Sequence, residues 1–286
     1  MRLQTSVPSY LWVDAISIDQ KNVQERNRQV KIMKHIFTKA HLVWVWLGHG
    51  GSDVHIAVQE MTVHKLYRPD HTALDRLDAT AMGALRNLYS QPYWTRMWIV
   101  QEFVLAKDMR FLYGNELFTW NDLRSTMLYL DQSAVAIYCQ SHEENTVRES
   151  YQFIRSSPAF SIYKTRKLRQ NWAVFDIIEL VLEYHWQDCS DPRDKVFALL
   201  GLAAGCEIQA DYSLSRKKLL EKMEEICPVV SKTPRYSREH FTKVLAGTLG
   251  IKEQLTWWER VHMLGISSIL LCSSVMIACA WYIRPS

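Results

Sequence analysis

Residues 11–48, LWVDAISIDQKNVQERNRQVKIMKHIFTKAHLVWVWLG, constrain this chain more than any other stretch. They read as a strand, a loop, an amphipathic helix and a second strand. Leu11-Trp12-Val13 is a short apolar run ending at Asp14. Residues 42–47 (LVWVWL) are continuously apolar, as a strand covered on both faces should be. Between them, Asn22 with Glu25 three residues on has the spacing of a capping box. Val23, Val30, Met33, Phe37 and Ala40 then recur at helical spacing. A parallel strand pair needs a crossover of about a dozen residues or more, and this segment has room for one. The stretch predicts a βαβ unit and a chain of α/β class.

A second block, YWTRMWIVQEFVLA, occupies 93–106. From Met97 to Ala106 its only polar side chains are Gln101 and Glu102, which predicts a largely buried helix. Glu102 follows Trp98 and Trp94 by one and two turns. A carboxylate there is costly unless it is paired, hydrogen-bonded, protonated or facing a pocket. Two readings stand: a structural ion pair with Arg96 or Arg26, or a functional acid in a cleft. A third block, DPRDKVFALLGLA at 191–203, reads as a helix capped by Asp191, with Pro192 at its first position and Gly201 at its end. That is a sufficient structural account of the block. Further helices are expected over 53–66, 74–89, 120–139 and 172–186, with a short strand at 111–114. Residues 141–170 are polar, without clear period, and read as a variable insertion.

With 286 residues, 48% hydrophobic and 22% charged, the chain can bury a sizeable core. A net charge of +4 implies no nucleic-acid partner, and the nearest basic cluster, KTRKLR at 164–169, reads as a solvated helix face. Six cysteines without a C-x-x-C pair and ten histidines without ligand spacing predict neither a metal site nor a disulfide framework. Gly48-His49-Gly50-Gly51 matches no phosphate-loop pattern and reads as a turn. No apolar leader is evident at the start. Residues 261–283 run for 23 positions without Asp, Glu, Lys or Arg, flanked by Trp257, Trp258, Trp281 and Tyr282. They predict a single C-terminal membrane span with the body facing the cytoplasm; a buried C-terminal helix is the alternative.

Taken together in their order, the three blocks resemble the HET (heterokaryon incompatibility) domain of filamentous fungi, over about residues 8–227. The resemblance implies a role in fungal nonself recognition and programmed cell death, as effector or signalling module. The partners it implies are further copies of the chain or other incompatibility proteins. It divides the chain into a partial α/β core (1–140), the insertion (141–170), a helical part (171–227), a tether (228–260) and the apolar segment. HET domains open on a Ser-Tyr-x-Trp-Gly strand that nothing in residues 1–10 matches. A Cys and an Asn usually stand where Ser17 and Asp19 are here. Either an N-terminally truncated member lacking an early strand or a misplaced start is therefore expected.

HET domains in turn distantly resemble TIR domains. That likeness implies a flavodoxin-like parallel sheet with flanking helices, here without its first strand. Trp98-Ile-Val-Gln-Glu102 matches the TIR word Trp-x-x-x-Glu. The likeness makes Glu102 the catalytic candidate for cleaving the nicotinamide–ribose bond of NAD, a substrate rather than a cofactor. It makes Asp14, Asp19, Gln20 and Trp98 the nucleotide-contact candidates. A degenerate, inactive interaction module is the third reading.

Overall fold

Asn22 starts the first long helix as its spacing predicts. The computed structural model of the chain describes residues 11–66, 78–132, 139, 145–171, 173–226 and 238–251. A single helical turn, α1 (Asp14–Ser17), precedes helix α2 (Val23–Lys39). The Asn22 side chain accepts from the Glu25 amide at 3.0 Å, and Glu25 reaches back to the amide of Asp19 rather than to Asn22. Met33 and Phe37 bury the inner face of α2.

Strand β1 (Val43–Gly48) follows, then α3 (Val54–Leu66), α4 (Ala79–Tyr89) and a short 3-10 turn at Pro92–Thr95. Helix α5 (Ile99–Leu105) leads into a hairpin of β2 (Met109–Tyr113) and β3 (Glu116–Thr119). The remaining helices are α6 (Trp120–Leu130), α7 (Asn145–Ser156), α8 (Pro158–Gln170), α9 (Ile177–Tyr184), α10 (Asp194–Phe197), α11 (Arg216–Ile226) and α12 (Arg238–Thr248).

The class is mixed α/β, but the sheet is smaller than expected. Its order is β1-β2-β3, with β1 and β2 parallel and β2 and β3 antiparallel. Residues 11–13 form no strand, so the expected βαβ unit at 11–48 is corrected. The amides of Ile16 and Ser17 bond to the Val13 carbonyl, and the Asp14 carboxylate takes the Ala15 amide at 2.7 Å. Those local bonds turn the chain into α1 before a ladder can form. Trp12 instead packs edge-on against Phe37 of α2, with centroids 6.0 Å apart. The parallel partner of β1 comes from much later, Val45 facing Phe111 and Trp46 facing Leu112. The hairpin turns at Gly114, whose φ of +57° suits glycine. A Cβ there would lie 2.7 Å from the His49 carbonyl.

Burial on both faces of β1 is also corrected. Val45 and Leu47 are buried, but Trp44 and Trp46 are 54% and 58% exposed, so one face of the sheet is uncovered among the described residues. The covered face carries an aromatic stack. Phe111 and Phe118 lie parallel at 4.9 Å, and Trp94 packs on Phe103 and Phe111. Its indole nitrogen donates to the Leu88 carbonyl at 2.9 Å.

Several boundaries move. The helix expected over 120–139 ends at Leu130, and the one over 172–186 shrinks to α9. The stretch read as an unpatterned insertion holds α7 and α8, with Val147, Tyr151, Ile154, Phe160 and Tyr163 in the core. Part of the stretch read as a tether forms α12, where Phe241 and Leu245 are buried, as is Leu249 just after it. Among the described residues no helix is long and apolar enough to cross a membrane, and residues 261–283, read as a span, lie outside them. For the described residues the expectation of a membrane-held chain is corrected: none of their helices could form the span.

The contrast between the two faces of the sheet is measurable. Trp94→Ala empties a fully buried site and should cost about 3–5 kcal/mol of unfolding free energy. Trp44→Ala on the open face should cost less than about 1 kcal/mol. Urea unfolding of both variants checks this, and equal losses would contradict the one-sided sheet.

Candidate functional site

The three sequence blocks meet around one cleft of about 780 Å³. The first block lends Asp14, Gln20 and Arg26, the second Arg96, Met97 and Trp98, and the third Asp191 and Asp194, with Tyr212 closing the wall.

Asp194 is the junction. It is 4% exposed, and one carboxylate oxygen accepts from Trp98 Nε1 at 3.1 Å while the other accepts from the Tyr212 hydroxyl. Burial raises its pKa, and these two donors work against that rise. Asp191 and Arg193 form a two-pronged pair, Nε–Oδ1 2.9 Å and Nη2–Oδ2 2.7 Å. Burial works to raise Asp191, but its bonds to Arg193 prevail and hold it below the usual carboxylate range. Arg193 also donates to the carbonyls of Tyr212 and Leu214, both at 2.7 Å. The Arg26 guanidinium lies over the Tyr212 ring, 3.7 Å from its centroid, with Asp191 3.7 Å away.

The expected helix at 191–201 is therefore shorter. It begins at Asp194, and Asp191 spends its carboxylate on Arg193 and on the Arg193 amide rather than at a helix cap. The role of Asp194 is tertiary.

Glu102 stands in the first turn of α5, which Trp98 precedes, and does not line the cleft. It makes no side-chain hydrogen bond or ion pair among the described residues, so neither Arg96 nor Arg26 neutralises it by contact. Burial raises its pKa from 4.5 to about 7; nearby Arg96 opposes the rise and Asp14 adds to it. The buried Tyr93 hydroxyl also lacks a partner among the described residues, and the charge of Glu102 adds to the rise that burial causes in its pKa. Gln101, the other polar group of the block, is structural. Its amide nitrogen donates to the Ala198 carbonyl and its oxygen accepts from the Lys34 amide, both at 3.2 Å, tying α5 to α2 and to the third block.

Of the residues singled out from sequence, Asp14, Gln20 and Trp98 line the cleft, and Glu102 lies beside it. Asp19 does not line it; its carboxylate takes the Lys21 amide and shapes the loop. Arg26, Arg96, Asp194 and Tyr212 were not assigned to a cleft from sequence. Arg26 and Arg96 had been weighed only as ion-pair partners for Glu102, and Tyr212 gave no signal. Among the described residues no group of His, Cys, Asp and Glu is arranged to hold a metal ion.

An α/β core with helices wrapped over a polar cleft is the class this geometry defines. Residues 1–102 match the family model described as heterokaryon incompatibility protein (HET). It is similar to heterokaryon incompatibility protein 6, OR allele, of Neurospora crassa, at 23% identity over 85% of this chain and 42% of that protein. The chain thus spans about two fifths of the length of that curated relative. No solved structure matches it.

The raised Glu102 pKa has a signed consequence. Between about 4.5 and about 7 the folded protein holds a proton that the unfolded chain has lost. The stability this group contributes is therefore full below pH 4.5 and lost as pH rises through 7. Glu102→Gln cannot ionise and should gain on the order of 2 kcal/mol over the native chain between pH 4.5 and 8. Urea midpoints across that range test it; parallel curves would place Glu102 in an ordinary solvated setting.

Proposed function

We propose that this chain acts in fungal heterokaryon incompatibility, as a HET-domain effector or signalling module of nonself recognition whose working surface is the cleft. One observation carries the reading: the stretch that matches the HET family supplies Asp14, Gln20, Arg26, Arg96, Met97 and Trp98 to the same cleft wall. Its natural partners are further copies of the chain or other incompatibility proteins, by analogy with the relative's name. Expression of the full chain in a fungal host should arrest growth, and Arg96→Ala, at an exposed wall position, should abolish arrest without changing the melting temperature. Undiminished arrest in that variant would remove the cleft from the function.

A second reading is favoured by the ionisation of Glu102: the cleft cleaves the nicotinamide–ribose bond of NAD. The resemblance to TIR domains supports this through Trp98 and Glu102. A carboxyl group titrating near 7 is half ionised at neutral pH, where a general base works best. As the bond to nicotinamide lengthens, the ribose gains oxocarbenium character that the Glu102 carboxylate stabilises. Water then adds to the anomeric carbon, giving ADP-ribose, neutral nicotinamide and one proton. Arg26 and Arg96 supply positive charge for the diphosphate. The full chain should consume NAD, and Glu102→Ala should slow turnover by at least about 100-fold. Turnover unchanged in a folded Glu102→Ala protein would refute the enzyme reading and leave a binding module.

A further inference from the structure

The basic run at 164–169 was expected on a solvated helix face, and Arg166 departs from that. It is 3% exposed, between α5 and α8. Its guanidinium lies over the Trp120 ring, 4.5 Å from the centroid, and donates to the carbonyls of Phe103 at 2.5 Å and Lys107 at 3.5 Å. Its Nε has no partner, and no carboxylate pairs with it among the described residues. A neutral donor could serve those two carbonyls, whereas a buried cation with no counter-charge is costly.

Its surroundings add positive charge rather than cancel it. Arg166 lines an open cavity of about 360 Å³ together with Lys107, Arg169 and Gln170, against Leu105 and Ala106. Lys107 and Arg169 have no hydrogen-bond or ion-pair partner for their side chains among the described residues. The nearby carboxylate, Asp108, is committed to the Met109 amide and to Arg110 at 3.0 Å. Arg124, which lines a small cavity with Trp120, is a further cation near Arg166. Burial pushes Arg166 down to about 10, which leaves it charged at neutral pH. No residue that lines this cavity lines the cleft; α5 starts beside one and ends beside the other.

We propose that this cavity is a phosphate-binding site, in which Lys107 and Arg169 supply the cationic donors, Gln170 a neutral one, and the buried Arg166 the uncompensated positive charge in its wall. A guanidinium fork suits the tetrahedral oxygens of phosphate, and a bound anion supplies the counter-charge that Arg166 lacks. The phosphate could arrive free or on a nucleoside.

Calorimetric titration of the full chain at low salt, with pyrophosphate and separately with ATP, tests the proposal. Pyrophosphate should bind, and raising the salt should weaken it. The double variant Lys107→Gln with Arg169→Gln should lose at least tenfold in affinity with no change in melting temperature. Equal affinity for the two ligands means the phosphates alone are read; tighter binding of ATP means they are carried on a nucleoside. In the native chain the Nε–H resonance of Arg166 should shift during the titration, a readout that needs no variant. Absence of binding by both ligands, affinity unchanged in the double variant, or an Arg166 resonance that stays still would overturn the site.

Discussion

The carboxylate of Asp194 holds two distant stretches of chain in one place. Trp98 arrives at the head of α5, after β1 and two helices; Tyr212 arrives from the segment before α11. Each brings one hydrogen-bond donor, and Asp194 has one oxygen for each. A buried carboxylate is tolerable on those terms, because both oxygens are occupied by donors that favour the charged form. Arg193 adds a second layer, since its guanidinium grips Asp191 on one side and two backbone carbonyls of the Tyr212 segment on the other. The cleft exists because these bonds stand the third block beside the first two.

The parts of the fold that were legible in the sequence are those whose causes are local. Asn22 and the spacing of Met33 and Phe37 specify α2 without reference to any other element. The β-branched and aromatic run at 43–48 is a strand wherever it is placed. The partner of that strand was not legible, because strand pairing is decided by competition. Leu11-Trp12-Val13 has strand composition, yet Val13 and Asp14 capture the following amides and remove it from the contest. Helix α7 shows the opposite failure. Val147, Ser150, Tyr151 and Ile154 keep helical spacing on one buried face, but the charged residues between them hid the period.

The site was legible in the same partial way. Asp14, Gln20, Trp98 and Glu102 could be named because they stand in words that resemble a known family, and Glu102 also because a lone acid in an apolar helix calls for an explanation. Tyr212 could not be named, since nothing in DYSL distinguishes it from a surface tyrosine until Arg26 is seen over its ring. Asp194 gave no signal beyond its place near the start of the third block's helix, three residues after Asp191. Arg166 was hidden for a related reason: inside a basic run, the one buried cation looks like its solvated neighbours.

The central claim is that Trp98 and Tyr212 act through one shared carboxylate, and a double-mutant cycle measures that directly. Trp98→Phe and Tyr212→Phe each remove one donor from Asp194, and the pair removes both. The unfolding free energies of the native chain, the two single variants and the double variant should give a coupling of at least about 0.5 kcal/mol. Strict additivity would mean that the two donors do not share Asp194, and the cleft would then be held together by something else.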